Sequence, residues 1–262
     1  MTPSWLALAS RAQTVDPCSK GEFSVLKKYF RNMMSSLEKV FSKVVEQLDR
    51  EDRRLTILEQ SAQEQGLTFD RDGFYAVNRA LSYVVMGGVL EEMMRELPDA
   101  LAADVISLGV QHRHLPPSIL AVVDAAMFRQ CGLDNVSALL ARTAVVQAIA
   151  THHNNASPVV DFSKLLKLAD GKTVGEKNFQ AIWAILDLPG DWKNSPNDSL
   201  LLREIHDKRN SVAHWNEDLV ALGRTKRASD LRAMVNRLKE LVEHFYLSMW
   251  VWLESRAEMR FY

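Results

Sequence analysis

The chain has 262 residues and a formal net charge of −1, with 47 % apolar and 25 % charged side chains. That length and balance suit one large domain or two small ones with a real core, and they exclude wholesale disorder. They also leave no global positive field to draw the protein onto nucleic acid, so any site for a polyanion must be a local basic patch.

The two cysteines, Cys18 and Cys131, have no CxxC spacing and no histidine cluster nearby, so they read as free thiols of a reducing cytosol. The first ten residues lack a positively charged start and a signal-peptide core. The most apolar later run, residues 80–90, reaches about half of the roughly 20 residues that span a bilayer. A soluble cytoplasmic protein with no membrane association is expected, and no feature asks for a cofactor.

Residues 1–20 mix Pro3, Pro17, Cys18 and small polar residues without a sustained period and read as an N-terminal arm. Residues 21–262 read as a single all-α domain. From Glu22 to about Gln65, apolar positions from Val25 to Leu58 recur at three and four, the pattern of one long or two consecutive amphipathic helices closed by Gly66. A second helix is expected from Asp70 or Asp72 to Leu97, with Pro98 as its boundary. The pair Gly87-Gly88 inside it costs roughly 1 kcal/mol per residue against alanine, so close approach by a neighbouring helix is expected there.

Shorter segments follow: Ala100–Leu108, a turn at Pro116-Pro117, Ile119–Phe128 and Asn135–Ala150. They read as an insertion near residues 100–160. Beyond a loop at Asn154-Asn155 and Pro158, short helices are expected over Phe162–Leu168 and Glu176–Leu188. A polar loop, residues 191–199, then delivers a helix capped by Asp198 or Ser199. The last helix carries the most regular stripe, Leu231, Met234, Leu238, Leu241, Val242, Phe245, Met249 and Trp252. No run of alternating β-branched residues bounded by turns appears, so the fold class is all-α.

The helix after residue 198 carries Asp-Lys-Arg-Asn-Ser-Val-Ala-His-Trp-Asn-Glu-Asp, residues 207–218. At about 100° per residue, Leu201, Leu202, Ile205, Val212 and Leu219 share a buried face. Arg209 falls among them, where a guanidinium must meet a carboxylate, snorkel outward or face a cavity that takes an anion. His206, Asn210 and His214 line the polar side. In a regular helix Arg209 and His214 point about 140° apart, so a site using both needs a distorted helix or a second copy, and a homodimer is the favoured arrangement.

Arg209-Asn210-Ser211-Val212-Ala213-His214 resembles the RxxxxH signature of the HEPN superfamily. The polar Asn210 after the arginine and the apolar Val212 and Ala213 fit it. So does the context, late in an all-α chain, after a polar loop and before one long final helix. The resemblance covers residues 176–252 specifically, with the earlier helices fitting the first pair of a HEPN-like bundle. It implies a metal-independent endoribonuclease that attacks with the 2′-hydroxyl and leaves a 2′,3′-cyclic phosphate and a 5′-hydroxyl. His214 would be the general acid or base. Arg209 would hold the scissile phosphate, and Asn210 would orient the histidine or bond the phosphate. Lys208, Arg203 and His206 would add positive potential at the mouth. RNA is then the substrate, in a toxin or antiviral-defence setting with an antitoxin or regulatory protein as partner.

Other readings stand beside this one. Arg209 paired with Glu204 or Asp207, and His214 on a solvated face, would make the stretch structural. The same fold also serves as a non-catalytic module binding nucleotide, RNA or a partner protein. The basic run Arg224-Thr225-Lys226-Arg227, with Arg232 and Arg237, reads equally as an RNA track or a solvated helix start. His112, His114, His152 and His153 lack the acidic or thiol partners of a metal site.

Overall fold

The computed structural model describes residues 35–65, 73–123, 128, 131–132, 136–169 and 173–259. The chain divides into two units, Met1–Ser35 and Ser36–Tyr262. The N-terminal arm, the start of the first expected helix, and Gly66, Asp70 and Asp72 lie outside the described residues. The account below concerns the second unit.

The all-α expectation is met: the described residues form eight α-helices and two 3₁₀ turns, and the only β-type pairing among them is an isolated bridge between Gln111 and Pro158. In chain order the helices are α1 (Ser36–Gln65), α2 (Phe74–Ser107), α3 (Leu120–Val123), α4 (Val136–His152), α5 (Glu176–Leu186), α6 (Asp198–Ala213), α7 (Leu219–Arg224) and α8 (Ala228–Glu258). No described helix is long and apolar enough to cross a membrane.

Helix α2 is the element the others share, since α1, α6, α7 and α8 all pack on it. The stripe read on α8 is buried from Leu231 to Trp252. Its Phe245 meets Phe41 of α1 at a ring separation of 6.2 Å and Phe179 of α5 at 5.1 Å, so one aromatic cluster ties three helices.

Two expected elements are corrected. Pro98 does not end α2, which continues to Ser107 with Pro98 buried inside it. A proline there forgoes one backbone hydrogen bond, but Leu97, Leu101, Ala102 and Val105 are all buried, and the extension delivers Asp104 to the start of α1. Asp104 Oδ1 and Oδ2 accept from the backbone N–H of Ser36 and Leu37 at 2.8 and 2.9 Å. A carboxylate from a distant helix thus satisfies donors that every helix start leaves open. Residues 162–168 form turns instead of a helix. There Asp161 Oδ1 accepts from the Ser163 N–H at 2.9 Å, and Phe162, Leu166 and Leu168 are buried without a helical period.

The glycine pair divides. A Cβ on Gly87 would come within 2.9 Å of Arg209 Cγ, so the expected close approach exists there, made by α6. A Cβ on Gly88 would meet nothing within 4 Å; this residue lines a cavity of about 490 Å³ with Gln47, Arg50, Arg54 and Glu92. The tightest approach lies elsewhere. A Cβ on Gly223 of α7 would fall 1.7 Å from the Ala76 carbonyl oxygen of α2.

These distances set an order of tolerance. Gly223→Ala is expected to lose about 3 kcal/mol or more in denaturant unfolding, because backbone must move to admit the methyl. Gly88→Ala is expected to gain about 0.5–1 kcal/mol from helix propensity alone.

Candidate active site

Helix α6 starts in a polar loop, but its first turn is arranged differently from the sequence expectation. Asn197 is the N-cap residue, without a side-chain capping bond. Asp198 lies in the first turn, is 1 % exposed, and accepts from the Ser195 N–H at 2.7 Å. The apolar face is as read, with Leu201, Leu202, Ile205 and Val212 buried. Leu219 does not continue it, because α6 ends at Ala213 and Leu219 opens α7.

Arg209 is half-buried and finds the carboxylate that its place on the apolar side demands. Its stem lies over Gly87, and its Nη2 meets Glu91 Oε1 of α2 at 2.8 Å. Glu91 stands one helical turn beyond Gly87, so the glycine that admits the stem also sets where the head arrives. The two acids read as alternative partners are engaged elsewhere. Glu204 accepts from the buried Tyr83 hydroxyl at 3.0 Å and pairs with Lys226 at 2.9 Å. Burial, reinforced by Glu204, pushes the Tyr83 phenol well above its ordinary range, so it stays a neutral donor. Asp207 Oδ1 lies 3.0 Å from His206 Nδ1.

Asn210 bonds Arg209 and the loop before α5. Its Oδ1 accepts from Arg209 Nη1 at 3.3 Å and from Thr173 Oγ1 at 2.6 Å. Asn210 therefore braces the arginine; no hydrogen bond from its side chain to His214 occurs. Lys208 Nζ pairs with Glu217 at 3.3 Å, and the same carboxylate accepts from Ser211 Oγ at 3.0 Å. Arg203 is exposed. Of the basic run downstream, Lys226 is held by Glu204, and Arg232 bridges to Asp52 and Glu59 at 3.1 and 3.5 Å.

His214 sits at the C-cap of α6, exposed, and its ring has no hydrogen bond or ion pair among the described residues. The helix closes around it by a Schellman arrangement: the Trp215 N–H donates to the Val212 carbonyl at 3.4 Å and the Asn216 N–H to the Ser211 carbonyl at 3.0 Å. This requires a left-handed residue at 215. Glycine ordinarily fills that position; here it is Trp215, at φ 54° and 78 % exposed. The strain and the exposure of a large aromatic ring stand directly beside the candidate histidine. Asp218 then caps α7 by accepting from Val220 and Ala221.

Arg209 and Asn210 are thus brought together and fixed, Lys208 and His206 are tied to acids on their own segment, and His214 stands apart at the helix end. Glu91, Thr173, Trp215 and Glu217 are the neighbours to which sequence reasoning gave no role. Trp215 alone carried a local signal, an aromatic in a run of polar residues just after the motif. Glu91 and Thr173 are 118 and 37 positions from the groups they hold, and no local pattern marks them. Comparison of the chain with protein-family models, curated proteins and solved structures found no match.

Two substitutions separate the structural loads. Trp215→Gly is expected to stabilise the protein by about 1 kcal/mol, because only glycine adopts the left-handed conformation without penalty, raising Tm by roughly 2–4 °C in a thermal melt. Glu91→Ala is expected to lower stability by about 1–2 kcal/mol by leaving the Arg209 charge half-buried and unpaired.

Proposed function

We propose that the protein is a HEPN-like, metal-independent endoribonuclease acting as a homodimer in a toxin or antiviral-defence setting. The observation that carries the reading is the division of labour within the Arg209–His214 stretch. A guanidinium is held in one direction by Glu91 and Asn210, and an unpaired imidazole stands in solvent at the end of the same helix.

In this mechanism the scissile phosphate replaces Glu91 on the outer face of Arg209, which is partly exposed, and its non-bridging oxygens accept two hydrogen bonds from the guanidinium. The 2′-hydroxyl attacks phosphorus and the P–O5′ bond breaks. His214 moves a proton, either from the attacking hydroxyl or to the leaving 5′-oxygen. A two-fold assembly supplies a second histidine for the complementary transfer, which one helix with divergent side chains does not. Lys208, Arg203 and His206 add positive charge where the RNA backbone enters.

Helix α4 supports the assembly with a second copy. Its 17 residues carry a single Lys or Arg, Arg142, and no acid. Val136, Leu139, Leu140 and Val146 are each more than half exposed. A helix apolar around most of its circumference is ordinarily covered, and a charge-poor surface can face its own copy without like-charge repulsion. The full-length protein is expected to sediment as a dimer, and Leu140→Glu to convert it to monomer; a wild-type monomer at all concentrations would remove the composite site.

A second reading, a non-catalytic module of the same fold, is favoured by the ion pairs. Lys208, Arg209 and Lys226 are each held by an acid, which leaves little uncompensated positive charge at the motif. Incubating the protein with mixed RNA in EDTA decides between them. Cleavage that persists in chelator, yields 2′,3′-cyclic phosphate ends and falls at least about 100-fold in both Arg209→Ala and His214→Ala is the result expected of the enzyme. RNA left intact, with or without a cognate partner protein, would establish the module.

A further inference from the structure

The segment that leads into α5 lies against the polar side of α6, and its own residues hold it there. Val174 is 1 % exposed and belongs to the core. The Gly175 N–H donates to Asn178 Oδ1 at 2.9 Å, and Asn178 Nδ2 donates to the Leu168 carbonyl at 2.7 Å, so one amide pins the start of α5 and the chain before it. A Cβ on Gly175 would stand 3.8 Å from His206 Cδ2 of α6. Thr173 is thereby delivered to α6 at Asn210, one turn beyond His206, where its Oγ1 donates to Asn210 Oδ1 at 2.6 Å.

The same Asn210 oxygen accepts from Arg209 Nη1 at 3.3 Å. A guanidinium only donates, so the atom that faces it is the amide oxygen and not Nδ2. A carbonyl oxygen has two lone pairs, and here Arg209 and Thr173 each take one. The terminal torsion of an amide side chain is soft. The long contact to Arg209 alone would leave the amide loosely held, and the short bond from Thr173 fixes it. Nδ2 makes no hydrogen bond among the described residues and is the donor the amide has left.

Arg209 therefore has two anchors, Glu91 on Nη2 at 2.8 Å and Asn210 on Nη1. A phosphate that takes the place of Glu91 removes the first. The guanidinium then keeps its direction through the Asn210 oxygen, and that oxygen keeps its place through Thr173. Fixing the oxygen also fixes Nδ2, a neutral donor beside the cationic one. We infer that Thr173 is a positioning residue: its hydroxyl sets the Asn210 amide so that Arg209 and Asn210 Nδ2 together hold one backbone phosphate of RNA. This role rests on the endoribonuclease reading, which supplies the phosphate.

Two measurements on the full-length protein test it: the affinity for a labelled, uncleavable 2′-O-methyl oligoribonucleotide of mixed sequence, and cleavage of the matching RNA in EDTA. Thr173→Val keeps the shape of the side chain and removes the hydroxyl, whereas Thr173→Ser keeps the hydroxyl. Thr173→Val is expected to bind the oligonucleotide about five- to tenfold more weakly and to cut with a correspondingly lower kcat/KM; Thr173→Ser is expected to restore both. In an Asn210→Ala background, Thr173→Val should change neither, because its effect passes through the amide; a merely structural threonine would weaken both backgrounds alike. If the wild type binds the oligonucleotide but cleaves nothing, the ribonuclease reading falls, and the same binding ratios still support or overturn the role of Thr173. If the wild type cleaves and Thr173→Val binds and cuts as well as it does, the reading stands and the role of Thr173 is overturned. That role is also overturned if Thr173→Ser fails to rescue, if the losses from Thr173→Val and Asn210→Ala add, or if the wild type does not bind the oligonucleotide.

Discussion

The structure depends on how closely two elements approach helix α2. Where α7 crosses it, the Gly223 Cα lies so near the Ala76 carbonyl that no side chain fits. Where α6 crosses it, Gly87 makes the groove into which the Arg209 stem settles. These two contacts lie on either side of the α6–α7 junction, so the segment carrying His214 and Trp215 is strung between two anchored points. Ala80, Val212 and Leu222 form the small apolar cluster that closes the gap beneath it.

The same packing explains the electrostatics of the motif. A guanidinium entering an apolar groove must be compensated within reach of its stem, and Glu91, one turn along α2, does this. The compensation reaches the neighbouring basic residues too: Glu217 takes Lys208 and Glu204 takes Lys226. In a chain with a net charge of −1, two of the candidate basic groups of the motif, Lys208 and Arg209, are thus already paired with carboxylates, whereas Arg203 is exposed. His214, at the C-cap past the last helical turn, is exempt from this pairing among the described residues.

The left-handed backbone at Trp215 follows from helix termination. With α6 stopping at Ala213, a Schellman closure satisfies the carbonyls of Ser211 and Val212 but imposes a positive φ on whatever residue comes next. A tryptophan there is unfavourable for the folded state alone, and backbone strain of this kind collects at functional positions. It sets a flat, exposed ring next to the histidine, in a segment otherwise made of small and charged groups.

The sequence by itself determined the all-α class, the buried stripe of α8 and the apolar face of α6, because each rests on a periodicity visible within one segment. It also put Arg209 on the apolar side, where an arginine must meet a carboxylate, snorkel outward or face a cavity that takes an anion. Only the tertiary structure decided who compensates it. Glu204 and Asp207 are near in sequence, but Glu91 lies where the Gly87 groove aims the side chain. Helix α2 likewise runs through Pro98 because its far end is buried and its Asp104 caps α1, a gain that no local propensity contains. Termination of α6 before His214 belongs to the same class: a 100° projection carries the helix on to Leu219, whereas packing of α7 on Ala76 forces the chain to turn. Periodicity records which face a segment buries; it does not record which neighbour waits there, and the chemistry of this site depends on the neighbours.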